Sequence, residues 1–181
     1  MKDIFIGIIL VLFDLDINYE FGKLGLIPDA IGFIYLREGF KSLEKKSPIF
    51  EGLVPHGELM IFYSAFGYVF NMFGLYLAGN GLVGVICEAL CLAHLLYVFY
   101  KTILGVMDME KTDSLDYKGQ KLLSTYKIFC CFMVTASIVA AVTKYPLFIG
   151  LAFITNAAGT IYFLKAFYES KKAFEFSALR S

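Results

Sequence analysis

The feature that most constrains this chain is its content of long apolar segments. Four of them hold enough residues to cross a lipid bilayer, which takes about 20 residues of helix. They are Leu53–Leu77, Leu82–Leu104, Leu123–Thr143 and Pro146–Tyr168. A water-soluble domain of 181 residues could not bury so much apolar surface, because much of a small domain lies at its boundary with water. Lipid as the solvent removes that conflict.

Two shorter apolar segments, Ile4–Asp16 and Ile27–Leu43, precede these four. The second carries Arg37, Glu38 and Lys41 in its last turns, where long basic side chains can reach the lipid headgroups. We interpret the two as a thin transmembrane hairpin, and a re-entrant pair that does not fully cross is the alternative. No small-residue cleavage site follows the first apolar run, so we expect it to be retained rather than removed as a signal peptide.

The sequence therefore predicts an all-α fold, an integral membrane bundle of about six helices in three hairpins. We expect one transmembrane domain over 1–181, with hairpins at roughly 3–43, 53–104 and 123–168 and a cytoplasmic tail at 169–181. The acidic run Asp108–Asp116 falls between the second and third hairpins, and we interpret it as a solvated connection.

Charge in the connections predicts the orientation. If the N-terminus is cytoplasmic, all but two of the 16 lysines and arginines lie on the inner side, and the exceptions are Lys23 and Lys144. Basic residues collect on the cytoplasmic side of membrane proteins when the loops are short. We therefore expect both termini to be cytoplasmic in a multi-pass plasma-membrane protein. The net charge is zero, without the clustered basic face that nucleic-acid binding needs, so nucleic acid is not an expected partner.

Two stretches near the N-terminus carry a family resemblance. The run Phe13–Asn18, followed by Gly25–Phe33 with its Ile-Pro-Asp-Ala-Ile-Gly-Phe segment, resembles an uncharacterised family of small multi-pass membrane proteins of Gram-positive bacteria. The family pattern has Leu and Tyr where this chain has Ile27 and Phe33. The resemblance implies a retained first helix and a location in the bacterial plasma membrane, and it supplies no chemistry.

Polar groups inside the apolar segments are the candidate functional residues, because they are costly in lipid. Asn71 continues a stripe of small residues spaced three and four apart, and Glu88, Asn156 and Asp29 lie on similar stripes. At about 1.5 Å per residue, all four fall in the outer half of the bilayer. If the stripes face one another, the four side chains line a ligand- or proton-binding pocket with Glu88 as its key group. Alternatively, they bond one another and hold the bundle together.

A metal site is a further hypothesis. Cys87, Cys91 and His94 share one helical face and could place three ligands on an ion, with His56 as a second axial ligand if the group were haem. No fourth ligand is evident, and buried thiols that pack as small apolar groups are the alternative. We therefore expect no metal and no cofactor. Nucleophile, phosphate-loop and zinc-protease motifs are absent from the sequence, so it does not favour an enzyme.

Three functions follow from these expectations. The leading one is a small transporter or solute-binding membrane protein that takes a small-molecule ligand in the outer half of its bundle. The first alternative is a non-catalytic accessory or scaffold subunit, whose protein partners would dock in the membrane on its aromatic, lipid-facing surface. The second alternative is a metal- or haem-dependent membrane enzyme.

Overall fold

The computed structural model describes residues 1–13, 16–19, 22–25, 29–72, 81–142 and 145–178. Within these ranges it describes no side chains at 16–19, 22–25, 71–72, 81–85, 88, 140–141, 146, 149 and 178. Every statement about the structure below refers to the remaining positions.

Six helices form the described chain, as the sequence predicts, together with one short pair of strands. In chain order the elements are α1 (Lys2–Leu12), β1 (Asp16–Tyr19), β2 (Gly22–Gly25), α2 (Asp29–Leu43), α3 (Pro48–Met72), α4 (Gly81–Asp113), α5 (Gly119–Val142) and α6 (Pro146–Ala178). They divide into two compact units, Met1–Gly105 and Val106–Ser181, which we call the N-terminal unit and the C-terminal unit.

The strand pair lies between α1 and α2 in the chain. β1 and β2 are antiparallel, with Asp16 opposite Gly25 and Tyr19 opposite Gly22. Each strand has only four residues, which is too short for an alternating apolar pattern to reveal it. This strand pair is an addition to an otherwise all-helical fold, and the predicted number of about six helices is confirmed.

The N-terminal unit is built on close helix contacts. α1 packs on α2, and α2 packs on α3. A Cβ built at Gly7 of α1 would lie 2.7 Å from the carbonyl oxygen of Gly32 on α2, so only glycine allows the two backbones to approach this closely. The apolar side chains that fill the unit are almost completely buried: Ile4, Ile8, Leu36, Phe40, Phe50, Leu53, Phe99 and Ile103.

An ion pair adds a polar link between α2 and α3. The guanidinium of Arg37 donates to Glu58 Oε1 through Nε at 3.0 Å and through Nη2 at 2.8 Å. Its Nη1 donates to Glu38 at 2.6 Å. On the same face, a Cβ at Gly57 would meet the Cβ of Arg37 at 3.1 Å. The small residue thus lets α3 come close to the stem of the arginine that binds it.

In the C-terminal unit, α5 packs against α6 through aromatic rings. The rings of Phe129 and Phe163 stack with centroids 4.9 Å apart, and Tyr126 lies 6.0 Å from Phe163. Gly159 of α6 lies beneath Phe132, whose ring a Cβ would meet at 2.6 Å. Large rings therefore fill the space between these helices, and one glycine makes room for one of them.

Several helix ends differ from the ends of the apolar segments that predict them. α3 begins at Pro48 rather than Leu53, because the side-chain oxygen of Ser47 accepts a hydrogen bond from the N–H of Ile49 at 3.3 Å and caps the helix. Pro55, at the start of the predicted span, consequently lies inside α3. α4 continues to Asp113, beyond its predicted end, where Val106 and Met109 are buried, and α6 continues to Ala178, where Lys171 and Glu175 form an ion pair one turn apart.

Residues 114–118 form the connection between α4 and α5, and all of them except Tyr117 are exposed. The N–H of Gly119, the first residue of α5, donates to Glu110 Oε1 at 2.7 Å, and the hydroxyl of Tyr117 donates to Asp113 Oδ2 at 2.7 Å. Tyr117 is buried, and its ring lies 5.3 Å from that of Phe174 on α6. Burial away from water raises the pKa of the Tyr117 hydroxyl, as do its bond to Asp113 and the nearby carboxylates.

Two helices are long and apolar enough to cross a membrane. The segments are Ala89–Asp113 of α4 and Gly119–Val139 of α5, each with a mean hydropathy of 1.7 in its most apolar window. In the most apolar stretch of each helix, other parts of the chain bury only 33% of the residues in α4 and 22% of those in α5. Length and composition thus make these two helices candidate spans.

Candidate functional site

The predicted pocket residues lie on four different helices. Asp29 is the first residue of α2 and is half-buried, and Asn156 is half-buried on α6. Asn71 and Glu88 belong to α3 and α4, but their side chains lie outside the described residues. The convergence of the four groups on one pocket therefore stays a prediction.

The small-residue stripes on which that prediction rests behave differently from helix to helix. Gly32 and Gly39 of α2 are buried against α1, and Gly159 of α6 is buried against α5. At Gly67 of α3, by contrast, no described atom lies within 4 Å of the place where a Cβ would stand. The stripes of α2 and α6 thus mediate helix contacts as expected, and Gly67 does not.

Two buried threonine hydroxyls in the helices bond their own backbone. Thr102 donates to the carbonyl of Val98 at 2.8 Å, and Thr125 donates to the carbonyl of Lys121 at 2.9 Å. Such bonds to the preceding turn satisfy a serine or threonine without any partner from another helix. These residues therefore need no ligand and carry no site.

An imidazole and an amide are different because neither can be satisfied in this way. His94 Nε2 and Asn156 Oδ1 are buried and have no hydrogen-bond partner among the described groups. Ser170 Oγ is in the same condition, but its hydroxyl can rotate towards the backbone of its own helix. A buried polar atom without a partner costs about 1–3 kcal/mol, so His94 and Asn156 are the groups that a bound molecule could relieve.

Asn156 lies at the contact between α5 and α6. It shares a helical face with Gly159 and Phe163, three and seven residues further on, and both of these are buried against α5. The next residue back, Thr155, is exposed and donates to the carbonyl of Leu151 at 2.7 Å. The amide of Asn156 is thus directed into the unit, while its neighbour in sequence faces outwards.

The three predicted metal ligands on α4 do not form a metal-binding group. Cys87, Cys91 and His94 are all half-buried. Among the positions that the structure describes, no three His, Cys, Asp or Glu side chains come close enough together to hold an ion. The i, i+4, i+7 spacing places these residues on one side of the helix without making them converge.

His94 instead contacts a histidine on the neighbouring helix. Its ring centroid lies 5.1 Å from that of His56 on α3, with the planes tilted by 51°. Tyr97 of α4 completes the cluster, with its ring edge-on to His56 at 5.3 Å. Sequence reasoning considered His56 only as a haem ligand and did not predict this contact. The available signal was that the chain has just two histidines.

A surface cleft of about 660 Å³ lies at the connection between α4 and α5. Its charged groups are already engaged: Glu110 accepts from Gly119, and Lys121 donates to Glu169 at 2.7 Å. Lys118 lies 3.5 Å from the same Glu169 oxygen. Because these charged side chains already bind one another or the backbone, they are less available to bind a ligand, so we do not assign the cleft a site.

The candidate site consequently comprises two separate polar places, Asn156 in the C-terminal unit and the His56–His94 pair in the N-terminal unit. The chain matches no protein-family model, no characterised protein and no solved structure with which it was compared.

Proposed function

We propose that this chain is a multi-pass integral membrane protein of the bacterial plasma membrane, with both termini cytoplasmic. The support is the apolar surface of its long helices. Val142 is 80% exposed, Phe153 74% and Leu147 72%, and water would oppose such exposure whereas lipid does not. Fluorescence of a fusion at the C-terminus would report its side of the membrane, and accessibility of that fusion from outside intact cells would contradict the orientation.

Within the membrane, the proposed function is binding or transport of a small polar solute. The observation that carries it is Asn156 Oδ1, a buried amide oxygen without a partner inside an apolar helix contact. A purely structural asparagine in lipid is expected to bond a group on the opposing helix. An unpartnered one costs stability unless a ligand or water donates to it.

Replacing Asn156 with leucine separates the two roles. Asn156→Leu removes the unpartnered amide at similar size, so we expect the purified variant to be more stable than the native chain by about 1 kcal/mol without ligand. In a thermal-shift screen against amino acids, nucleosides, sugars and organic ions, the native chain should be stabilised by a solute that leaves the variant unchanged. A solute at 100 times its Kd stabilises by about 2.7 kcal/mol.

Thr155→Val is the matched control, since Thr155 is adjacent, exposed and bonded only to its own helix. It should alter neither the stability nor the response to solute. If Asn156→Leu instead lowers the stability and no solute distinguishes it from the native chain, the amide is structural and the proposed function is wrong.

Glu88→Gln tests the predicted key group of the outer pocket. We expect the variant to fold as the native chain does and to lose the binding or uptake of the solute, because a neutral amide cannot replace the carboxylate. Reduced stability with unchanged binding would show that Glu88 only bonds neighbouring helices.

A non-catalytic accessory subunit is the second candidate. It is favoured by the aromatic residues that face outwards on α3, of which Phe62 is 80% exposed and Phe66 56% exposed. Aromatic residues are enriched where proteins bind one another, and a partner helix could cover this face in place of lipid. Purification from native membranes in mild detergent distinguishes the two functions, because an accessory subunit would bring a stoichiometric partner with it.

A further inference from the structure

The only two histidines of the chain meet across two helices of the N-terminal unit. His56 lies near the start of α3 and His94 in the middle of α4, and their ring centroids are 5.1 Å apart. The sequence has two histidines against 19 phenylalanines, yet it is the two histidines that contact each other here. The pairing therefore calls for chemistry that is specific to imidazole.

Three properties of the pair are informative. The rings are tilted by 51° rather than stacked flat. His94 Nε2 is buried and has no hydrogen-bond partner among the described groups. Both residues are half-buried, and Tyr97, which contacts His56 edge-on, is 43% exposed, so the cluster is reachable from outside the unit.

These dimensions fit two imidazoles that share one tetrahedral ion. A zinc–nitrogen bond is about 2.0–2.1 Å long, and the ion lies in the plane of each ring that binds it. Two rings on the same tetrahedral ion consequently have centroids about 5 Å apart and planes inclined to each other. The centroid separation of 5.1 Å between His56 and His94 is close to that value.

We propose that His56 and His94 bind a divalent transition-metal ion, Zn²⁺ or Cu²⁺, between α3 and α4. Imidazole nitrogen is a preferred ligand for both ions. The chain supplies two ligands here and no third His, Cys, Asp or Glu is within reach among the described residues, so the remaining positions are left for water or for another ligand. A site with open positions can exchange its ligand, unlike a closed structural zinc site.

This inference differs from the metal hypothesis based on Cys87 and Cys91, because it uses a residue from each of two helices. It is also independent of the proposed solute-binding function, which rests on Asn156 in the other unit. Either proposal can fail without affecting the other.

The test is metal binding to the full chain, purified in detergent with an affinity tag that contains no histidine. Competition with a chromophoric chelator measures Zn²⁺, and we expect one ion per chain. His56→Gln and His94→Gln should each weaken the binding at least tenfold, since loss of a group that merely orients a ligand already costs about 10–100-fold. The double variant should not bind. Cys91→Ser, one turn from His94, is the matched control and should bind as the native chain does.

A second measurement needs no variant and so does not depend on the variants folding. In the electron paramagnetic resonance spectrum of Cu²⁺ bound to the native chain, we expect hyperfine splitting from two nitrogen ligands. The proposal is overturned if the native chain binds no stoichiometric Zn²⁺, if the double variant retains native affinity, or if the Cu²⁺ spectrum shows no nitrogen ligands.

Discussion

The two units pack their helices by opposite means. In the N-terminal unit, glycines bring backbones together: Gly7 faces the backbone of Gly32, and Gly39 faces Ile4. In the C-terminal unit, α5 and α6 are separated by stacked rings, with Phe129 and Phe163 almost parallel at 4.9 Å. The glycine contacts are disrupted when a side chain is added to a glycine, and the ring contacts are disrupted when a ring is removed. Both are expected where lipid rather than water surrounds the helices, because packing then supplies most of the attraction.

The largest effect is expected from removing a ring in the C-terminal unit. Phe163→Ala leaves a cavity beside Phe129 and Tyr126. We expect the free energy of unfolding to fall by about 3 kcal/mol. This is the lower end of the range for a buried phenylalanine, because in the proposed membrane setting lipid also solvates the unfolded chain. Each unit carries a half-buried thiol, Cys91 in the N-terminal unit and Cys130 in the C-terminal unit. The rate at which each thiol is labelled, measured by mass spectrometry, therefore reports which unit has been loosened. Cys130 should react faster in this variant and Cys91 should not. Equal acceleration at both would contradict separate packing of the units.

Adding a side chain to the N-terminal unit is expected to have the next largest effect. Gly7→Val places Cβ 2.7 Å from the carbonyl oxygen of Gly32 and 2.8 Å from the backbone nitrogen of Leu36, neither of which can move as a side chain does. We expect a loss of about 2 kcal/mol, measured by titration from mild detergent into sodium dodecyl sulfate.

Gly52→Ala is the control for that variant. Gly52 lies in α3 with open space around it, so an added methyl group meets no atom and should stabilise the helix by about 0.5–1 kcal/mol. If Gly52→Ala destabilised the chain as much as Gly7→Val does, the close approach of the helix backbones would not explain why Gly7 is a glycine.

The smallest effect concerns the charges of the C-terminal unit. Glu169 lies beyond the predicted apolar span of α6, and its hydrogen bond to Lys121 and the positive charges of Lys121 and Lys118 hold its pKa below the ordinary value of 4.5. A depressed pKa means that the carboxylate contributes stability above its unfolded pKa and loses it as the pH falls through the folded pKa. Thermal unfolding should therefore show Glu169→Gln less stable than the native chain at pH 7, with the difference shrinking as the pH falls below 4.5 and through the lowered pKa of the folded chain. A difference that persists in acid would contradict the ion pair as its cause.

Much of the helical architecture follows from apolar segments that are easy to recognise, but the helix ends do not. The extension of α4 to Asp113 rests on Val106 and Met109, which are buried although they follow the predicted span. α6 similarly continues past Tyr168, where Lys171 and Glu175 pair one turn apart at 3.5 Å. Hydropathy locates the part of a helix that suits lipid, whereas the helix itself ends where its hydrogen bonds and caps end.

For the candidate site, helical spacing singles out Asn156, and the structure buries its amide oxygen, while the binding of a ligand there stays a prediction. The contact of His56 with His94 was not predicted as a pair, because the sequence gives the face of a residue on its own helix but not its height relative to a residue on another helix.

The sequence by itself determined the number of helices, the apolar character of α4 and α5, and the small-residue stripes of α2 and α6, because each depends on local composition and on helical periodicity. The tertiary structure alone decided that the two histidines face each other, that Glu110 reaches the first N–H of α5, and that β1 pairs with β2. These contacts depend on the register between separate segments, which is set by how the side chains of both segments fill the space between them.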